Sequence, residues 1–536
     1  EKGRENILLQ SNQFDTTWAN NSSSETSGQA DKDGGTDAWL LNSTGSFGSI
    51  TQSFTAISGV STLSIYAKAG TNNWLLLRMN ATTNARAWFD LENGVLGSTD
   101  GPTIESKIEE IGTDGWYRCS ITGNTSSFSQ VLIYPTNANL VVGAAGSIYI
   151  QDAQVEVGLA ATSYIESGAT TGKAGLLENE PRIDFTGGGC GSLLLEPSRT
   201  NLVTNSEYFE NYTKTDSSVM SNGATSPEGL ENASKLFDGT GSAQHYIGNV
   251  GIGYFTNTDI RGTSVFVKAG TLDYMQLRIT NLTGNFSYYY VNVNLNDGSV
   301  ASIASGGTTN LSNSVEDYGN GWYRVSMACS FTNSNVTGSR TEIYTAKNNN
   351  HTYTGTGTDY ILIYGAQSEA GSYPTSYIPT HGNIVTRSDD EGNLNLLVSK
   401  NIIQSDTLTY FIELNTESLV RDSSLRIINL GSANNEFFIY NNSLSESRPI
   451  LYISSSTGQS TYLLPQDNLK LCIRIQPSGT QVFVNGSQVL NTTNAPEFSA
   501  NSYYSFRGTN RKALFKQKAF FPTALTDEEC SALTQP

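Results

Sequence analysis

Trp74, Leu76 and Arg78 alternate along the chain, so in a strand they share one face. An aromatic ring beside a guanidinium is what sugar recognition asks for: the ring stacks on the apolar side of a pyranose while Arg, Asn, Asp or Gln pairs its hydroxyls. Trp39, Trp74, Trp88 and Arg78 supply that set early in the chain, and Tyr274, Tyr288, Tyr290 and Arg278 supply it later. Aromatic residues also dominate sandwich cores. On that competing reading, which comes first, Trp74 is core and Arg78 is the partner in a structural ion pair.

A second candidate chemistry lies at Asp31-Lys32-Asp33-Gly34-Gly35-Thr36-Asp37, where Asp31, Asp33 and Asp37 have the oxygen spacing that opens a calcium loop. The distal bidentate Glu is missing, so an acidic polar turn is the first expectation and Ca²⁺ the alternative. No other cofactor is expected. Catalytic sets are hard to find: His245, His351 and His381 form no HExxH pattern, and no GxSxG marks a nucleophile. Glycoside hydrolysis needs two carboxylates flanking one bond, and Glu413 and Glu436 stand singly among apolar residues. The chain is therefore expected not to be an enzyme.

The elements that position these residues are read from an internal repeat. Ser64-Ile65-Tyr66-Ala67-Lys68-Ala69-Gly70-Thr71 returns as Ser264-Val265-Phe266-Val267-Lys268-Ala269-Gly270-Thr271. Asp114-Gly115-Trp116-Tyr117-Arg118 returns as Asn320-Gly321-Trp322-Tyr323-Arg324, and Ala153-Gln154-Val155-Glu156 with Thr162-Ser163-Tyr164-Ile165 as Ala366-Gln367-Ser368-Glu369 with Thr375-Ser376-Tyr377-Ile378. The order is kept while the offset grows slowly, as small loop insertions would produce. Retention of Trp116 and Arg118 in both copies points to a framework role. Trp18, Trp39, Trp74 and Trp88 of the first copy have no Trp counterpart in the second, which suggests a kept scaffold with changed contact residues.

Short alternating runs between Gly, Asn and Asp turns, for example 64–68, 74–79, 116–122 and 147–157, indicate sandwiches. The expected fold is all-β, with three jelly-roll-like β-sandwich domains in series. Repeat 1 spans 1–167, a connecting hairpin or linker 168–200, repeat 2 201–380, and a different β domain 386–536. In the last, strands are expected at 408–414, 425–430, 437–440, 469–475 and 481–484. Asn485-Gly486 marks a hairpin, and Thr526 with Glu529 caps a terminal helix. The glycine run 187–189 lacks the GK[ST] ending of a phosphate loop, and Asp389-Asp390-Glu391 is read as a solvated linker.

Only 15% of the 536 residues are charged, which suits strands and polar turns. A net charge of −18 argues against nucleic acid as a partner, and no apolar run is long enough to insert into a membrane. Cys119, Cys190, Cys329, Cys472 and Cys530 form neither a disulfide framework nor a zinc pattern. The absence of an initiator Met and of a signal peptide suggests a processed chain or a piece of a longer one.

The segment Gly365-Ala366-Gln367-Ser368-Glu369-Ala370-Gly371-Ser372-Tyr373-Pro374-Thr375-Ser376-Tyr377-Ile378-Pro379-Thr380 resembles a recurrent ending in bacteriophage virion proteins. There it closes a jelly roll similar to galactose-binding-like carbohydrate-binding modules. The stretch from Pro181-Arg182-Ile183-Asp184-Phe185 to Leu195-Glu196-Pro197-Ser198-Arg199-Thr200-Asn201-Leu202 resembles the same group. Leu471-Cys472-Ile473-Arg474, Val482-Phe483-Val484-Asn485-Gly486 and the closing 522–529 resemble a laminin-G/concanavalin A-like sandwich. These resemblances imply a tail fibre, tail-tip adhesin or head fibre at the virion surface. Its partners would be host or environmental glycans and other virion proteins, in a homo-oligomer. A purely structural virion component and a polysaccharide depolymerase or glycanase accessory segment are the alternatives.

Overall fold

The computed structural model describes residues 3–175, 182–184, 192–252, 259–281, 286–332, 338–388, 392–393, 406–415, 423–430, 436–441, 450–455, 458–463, 468–493, 502–504 and 513–535. The expected connector 187–189, Asp389-Asp390-Glu391 and Cys190 lie outside these residues. The chain is all-β and built of β-sandwich domains. Among the described residues, one α-helix, Asp527–Leu533, and one turn of 3-10 helix, Phe209–Asn211, interrupt the strands.

In the first module two strands of 21 residues, Ser49–Ala69 and Trp116–Thr136, form an antiparallel ladder. Its register shifts on either side of Phe128, and Ser127 and Gly59 have φ of 56° and 105°. Extra residues in a ladder bend and twist it, so each long strand serves one layer and then the other. Residues 116–123 pair with Thr103–Ile111, whereas 130–136 pair with Trp74–Asn80. Leu63, Ile65, Ile121, Ile133, Leu75 and Leu77 fill the space between the layers.

The second module breaks its strands where the first bends them. It has Tyr246–Ile252 and Ile260–Ala269 in place of one long strand, and Trp322–Phe331 and Ser339–Ala346 in place of the other. The result is two separate six-stranded sheets. Extra residues at these breaks supply part of the growing offset between the copies, and the rise between 271 and 322 supplies another part.

The repeated motifs form a buried polar latch, built alike in each copy. Asn6 donates its side-chain amide to the carbonyls of Ala153 and Ile165, and Asn201 does so to those of Ala366 and Ile378. Glu156 accepts from the Gln154 amide and from the Thr162 backbone and hydroxyl, and Glu369 from Gln367 and Thr375. Arg118 donates to Ser64 and to the Thr162 carbonyl at 2.5 Å, and Arg324 to Ser264 and to the Thr375 carbonyl at 2.6 Å. Trp116 and Trp322 are buried beside them. Because buried polar groups must be paired, the motif persists for folding.

The stretch 168–200 differs from the expected linker. Gly172–Ala174 pairs with Arg4–Asn6 and belongs to the first module. Arg182–Asp184 and Ser192–Leu195 do form a hairpin, but Ser192–Leu195 also pairs with Ala513–Phe521. The hairpin is therefore the edge of the third domain's seven-stranded sheet. Two compact units result: Glu1–Glu178 with Asn201–Val385, and Asn179–Thr200 with Thr386–Pro536. Within the first unit the two modules are tied by Arg4–Glu228 at 2.6 Å and Lys107–Glu231 at 2.7 Å.

In the second unit a six-stranded sheet, Gly392–Asn393 and Ser502–Tyr504 through Gly458–Leu463, accompanies the seven-stranded one. Asn485 and Gly486 turn the expected hairpin at φ 44° and 85°. Thr526 and Glu529 form the capping box of the terminal helix. Arg474 secures that helix through the Leu525 carbonyl and Asp527.

Candidate functional site

Sheet register assembles the strongest candidate on the outer face of the second module. Met275, Leu277 and Ile279 point into the core, so Tyr274, Gln276, Arg278 and Thr280 point out. Across the ladders Gln276 lies between Tyr344 and Asn292, Arg278 between Glu342 and Tyr290, and Thr280 between Arg340 and Tyr288. Tyr246 extends the Gln276 row beyond Tyr344, and Ser302 extends it beyond Asn292.

The buried Glu342 carboxylate organises the centre. It accepts from the Tyr344 hydroxyl at 2.6 Å and from Arg340, with Arg278 Nε at 3.6 Å. Burial and the Glu342 charge push the Tyr344 phenol well above its usual range, which keeps it a donor. The same hydroxyl accepts from Arg278 Nη1 at 3.0 Å. The Arg278 guanidinium lies 5.0 Å from the Phe286 ring, 5.2 Å from Tyr288 and 5.9 Å from Tyr344, within cation–π range. Tyr288 and Tyr290 are half-exposed and near-parallel, with centroids 6.0 Å apart. Phe286 is 63% exposed. Tyr246 stacks on Tyr344 at 4.5 Å, with Arg340 over its ring at 5.7 Å.

Several polar atoms on this face have no hydrogen-bond partner: both amide atoms of the fully buried Gln276, Oδ1 of Asn292, and Nε of Arg278 and of Arg340. Each such group costs about 1–3 kcal/mol, so a concentration of them marks a place prepared for water or a ligand. A turn with Asn348 and Asn349 at φ 51° and 60° folds against the face. Asn292 donates to the Asn349 side chain at 2.9 Å and to its carbonyl at 3.2 Å. His351 follows, its ring 5.8 Å from Tyr290 and 5.7 Å from Tyr344. Burial first, and then Arg278, lower the His351 pKa below its ordinary value.

The first module fills the same face with hydrocarbon. Leu76 stands where the second has Gln276, Trp88 where it has Asn292, Leu132 where it has Glu342, and Tyr134 where it has Tyr344. Leu76, Trp88 and Tyr134 pack together with Trp74, Leu132 and Val142. Trp88 Nε1 and the Thr136 hydroxyl both donate to the Val141 carbonyl, at 2.8 and 3.1 Å. A segment of the 137–145 loop thus closes the face.

This placement corrects part of the sequence-derived set. Trp39 and Trp88 are buried, and Trp39 packs on Phe14 with its Nε1 on the Asn12 carbonyl, so neither presents a ring to a sugar. Trp18 is buried as well. Trp74 is half-buried against the apolar cluster, and Arg78 bonds the Asn80 side chain at 3.1 Å rather than an acid. Arg278, Tyr288 and Tyr290 do come together, with Tyr274 half-buried at the rim of the same face. Sequence reasoning missed Tyr246, Gln276, Asn292, Arg340, Glu342, Tyr344 and His351. The alternation of Arg340, Glu342 and Tyr344 was the available signal.

The aspartate cluster forms the acidic turn expected first, rather than a calcium loop. Asp31 accepts the backbone amides of Asp33 at 2.8 Å, Gly35 at 2.7 Å and Asp37 at 3.0 Å. These bonds, that from Asp37 foremost, hold its carboxyl below the usual range. Lys32 lies between Asp33 at 2.5 Å and Asp152 at 3.2 Å. The Asp31 carboxylate therefore stabilises a turn, and that of Asp33 pairs with Lys32. Among the described residues no group of three or more His, Cys, Asp or Glu could hold a metal ion. Nor, among them, is any helix long and apolar enough to cross a membrane.

No protein-family model matches the sequence, and no curated protein matches it. Among solved structures, the chain is similar to the N-terminal CBM22-1-CBM22-2 tandem domain from Paenibacillus barcinonensis Xyn10C. The match covers 69% of this chain and 99% of that one, at 12% identity and a TM-score of 0.23.

Proposed function

We propose that the chain is a non-catalytic glycan-binding protein whose binding face is the outer sheet of the second module. One observation carries this reading: half-exposed Tyr246, Tyr288 and Tyr290 share a face with Arg278, Arg340 and the unpartnered amide of buried Gln276. Rings offer stacking surface, and the polar atoms offer hydroxyl partners that burial has already stripped of water. Among the described residues Glu342 is the single carboxylate of this face, and Tyr344 and Arg340 bind it. Hydrolysis through a carboxylate pair therefore has no support there.

The wider role is that of a bacteriophage virion surface protein, supported by the resemblance of 181–202 and 365–380 to phage segments. Host-surface or environmental glycans would be its targets and other virion proteins its neighbours. Several copies in a homo-oligomer would strengthen weak single contacts through effective concentration. A purely structural virion component is the second reading, favoured by the closed face of the first module.

The intact chain on an array of bacterial polysaccharides is expected to bind, and the Tyr288→Ala/Tyr290→Ala variant to lose that binding. A blank array defeats the proposal. Release of reducing sugar from a bound polysaccharide defeats its non-catalytic part.

A further inference from the structure

We infer that the glycan taken by this face carries negative charge, as a carboxylate-bearing polysaccharide of the uronate type. The inference rests on the glycan-binding reading above and names its substrate class. The chain has 49 acidic residues against 31 Lys and Arg, so an anionic polymer meets repulsion over most of it. On this face the balance reverses. Among the described residues it holds Arg278 and Arg340 against Glu342 alone, a surplus of one positive charge.

The acid is also the inner member of the group. Glu342 is 1% exposed and already takes the Tyr344 hydroxyl, whereas both arginines are half-buried and reach the surface. A structural ion pair needs one arginine to neutralise Glu342, and the second arginine then has no acid of its own. Both Nε atoms are buried, and that of Arg278 faces Glu342 at 3.6 Å, so it is the guanidinium of Arg340, 23% exposed against 11% for Arg278, that best reaches a ligand carboxylate. Beside them the buried Gln276 amide is unpartnered at both atoms, an independent sign of a ligand polar in its ring hydroxyls as well. A site for neutral sugars gains nothing from surplus charge, because amides and hydroxyls suffice to pair hydroxyls. Other cations near the face do not alter the count: Lys347 is exposed and sits 3.6 Å from Asp359, and burial keeps His351 neutral near pH 7.

Affinity electrophoresis of the intact chain tests this, with polygalacturonate, alginate, hyaluronate and polysialate each set against its methyl-esterified, uncharged form. At least one acidic polymer is expected to retard the chain about tenfold more strongly than its ester does, as loss of a charge-assisted pair implies. Added salt is expected to weaken the retardation. Whatever either does to the melting midpoint, Arg340→Gln should abolish the preference for acid over ester and Arg340→Lys should keep it. Glu342→Gln, which leaves two cations and no anion, should increase it. Equal retardation by acid and ester forms overturns this inference and leaves the glycan-binding reading standing. Retardation by neither form of any polymer overturns both. The polymer comparison needs no variant, so a misfolded substitution does not blunt it.

Discussion

Where the first module sets Trp88, the second sets Asn292, and both side chains hold the loop after the strand two places over in their sheet. Trp88 reaches the Val141 carbonyl and Asn292 reaches Asn349. Around the tryptophan the other outward positions are Leu76, Leu132 and Tyr134, and the loop seals them. Around the asparagine they are Gln276, Glu342 and Tyr344, and several polar atoms stay unpaired. The latch beneath, from Asn6 and Arg118 in one copy and Asn201 and Arg324 in the other, is the same. The duplication therefore separated two demands. The inner polar network is held by folding, while the outer face was free to become hydrophobic filling in one copy and a recognition surface in the other.

The comparison breaks first, and most visibly, at Trp88. Trp88→Ala should destabilise the first module by about 3–5 kcal/mol, the cost of emptying a large packed site, and leave glycan binding unchanged; denaturant unfolding with a parallel binding assay checks both. Next come the latches: Arg118→Met and Arg324→Met should each cost roughly 1–3 kcal/mol and by similar amounts, since each strands the same carbonyl and hydroxyl. Unequal costs would show that the two frameworks are not equivalent. Tyr288→Ala/Tyr290→Ala should lower glycan affinity by at least about tenfold, or ~1.4 kcal/mol, with little effect on melting. Gln276→Leu, which gives the second module the first module's residue, should stabilise it by about 1 kcal/mol as an unpaired amide is removed, while weakening glycan binding.

The smallest effect concerns pH. In the folded chain burial, and then Arg278, hold the His351 pKa below its ordinary value of about 6.5. Between those two values the unfolded chain binds more protons, so this contribution to stability is full above about pH 6.5 and is lost as pH falls below it. Melting midpoints across that range should fall less steeply in His351→Gln than in the parent. The first module, which holds no histidine, should show no such component.

The repeat, the all-β class, the Asn485-Gly486 turn and the Thr526 cap were legible because each is a local signal of backbone geometry. The separation of Arg278, Tyr288 and Tyr290 from the buried tryptophans was not. Alternation tells which residues share a face, not whether that face is covered, and the cover is a loop distant in sequence. The aspartate cluster left two readings open for a related reason: carboxylates at ligand spacing also suit backbone amides of a tight turn, and Asp31 takes three of them. The hairpin at 182–195 read as a linker because its partner strand, Ala513–Phe521, lies over three hundred residues away.

That hairpin has a mechanical consequence. The chain enters the third domain's sheet, leaves to build the whole second module, and returns, with Thr200 and Thr386 hydrogen-bonded at 2.8 Å where it departs and re-enters. Force passed along the chain from Ser192–Leu195 to the strands after Arg387 meets the short pairing of Arg199–Asn201 with Val385–Arg387 before it reaches the second module's own strands.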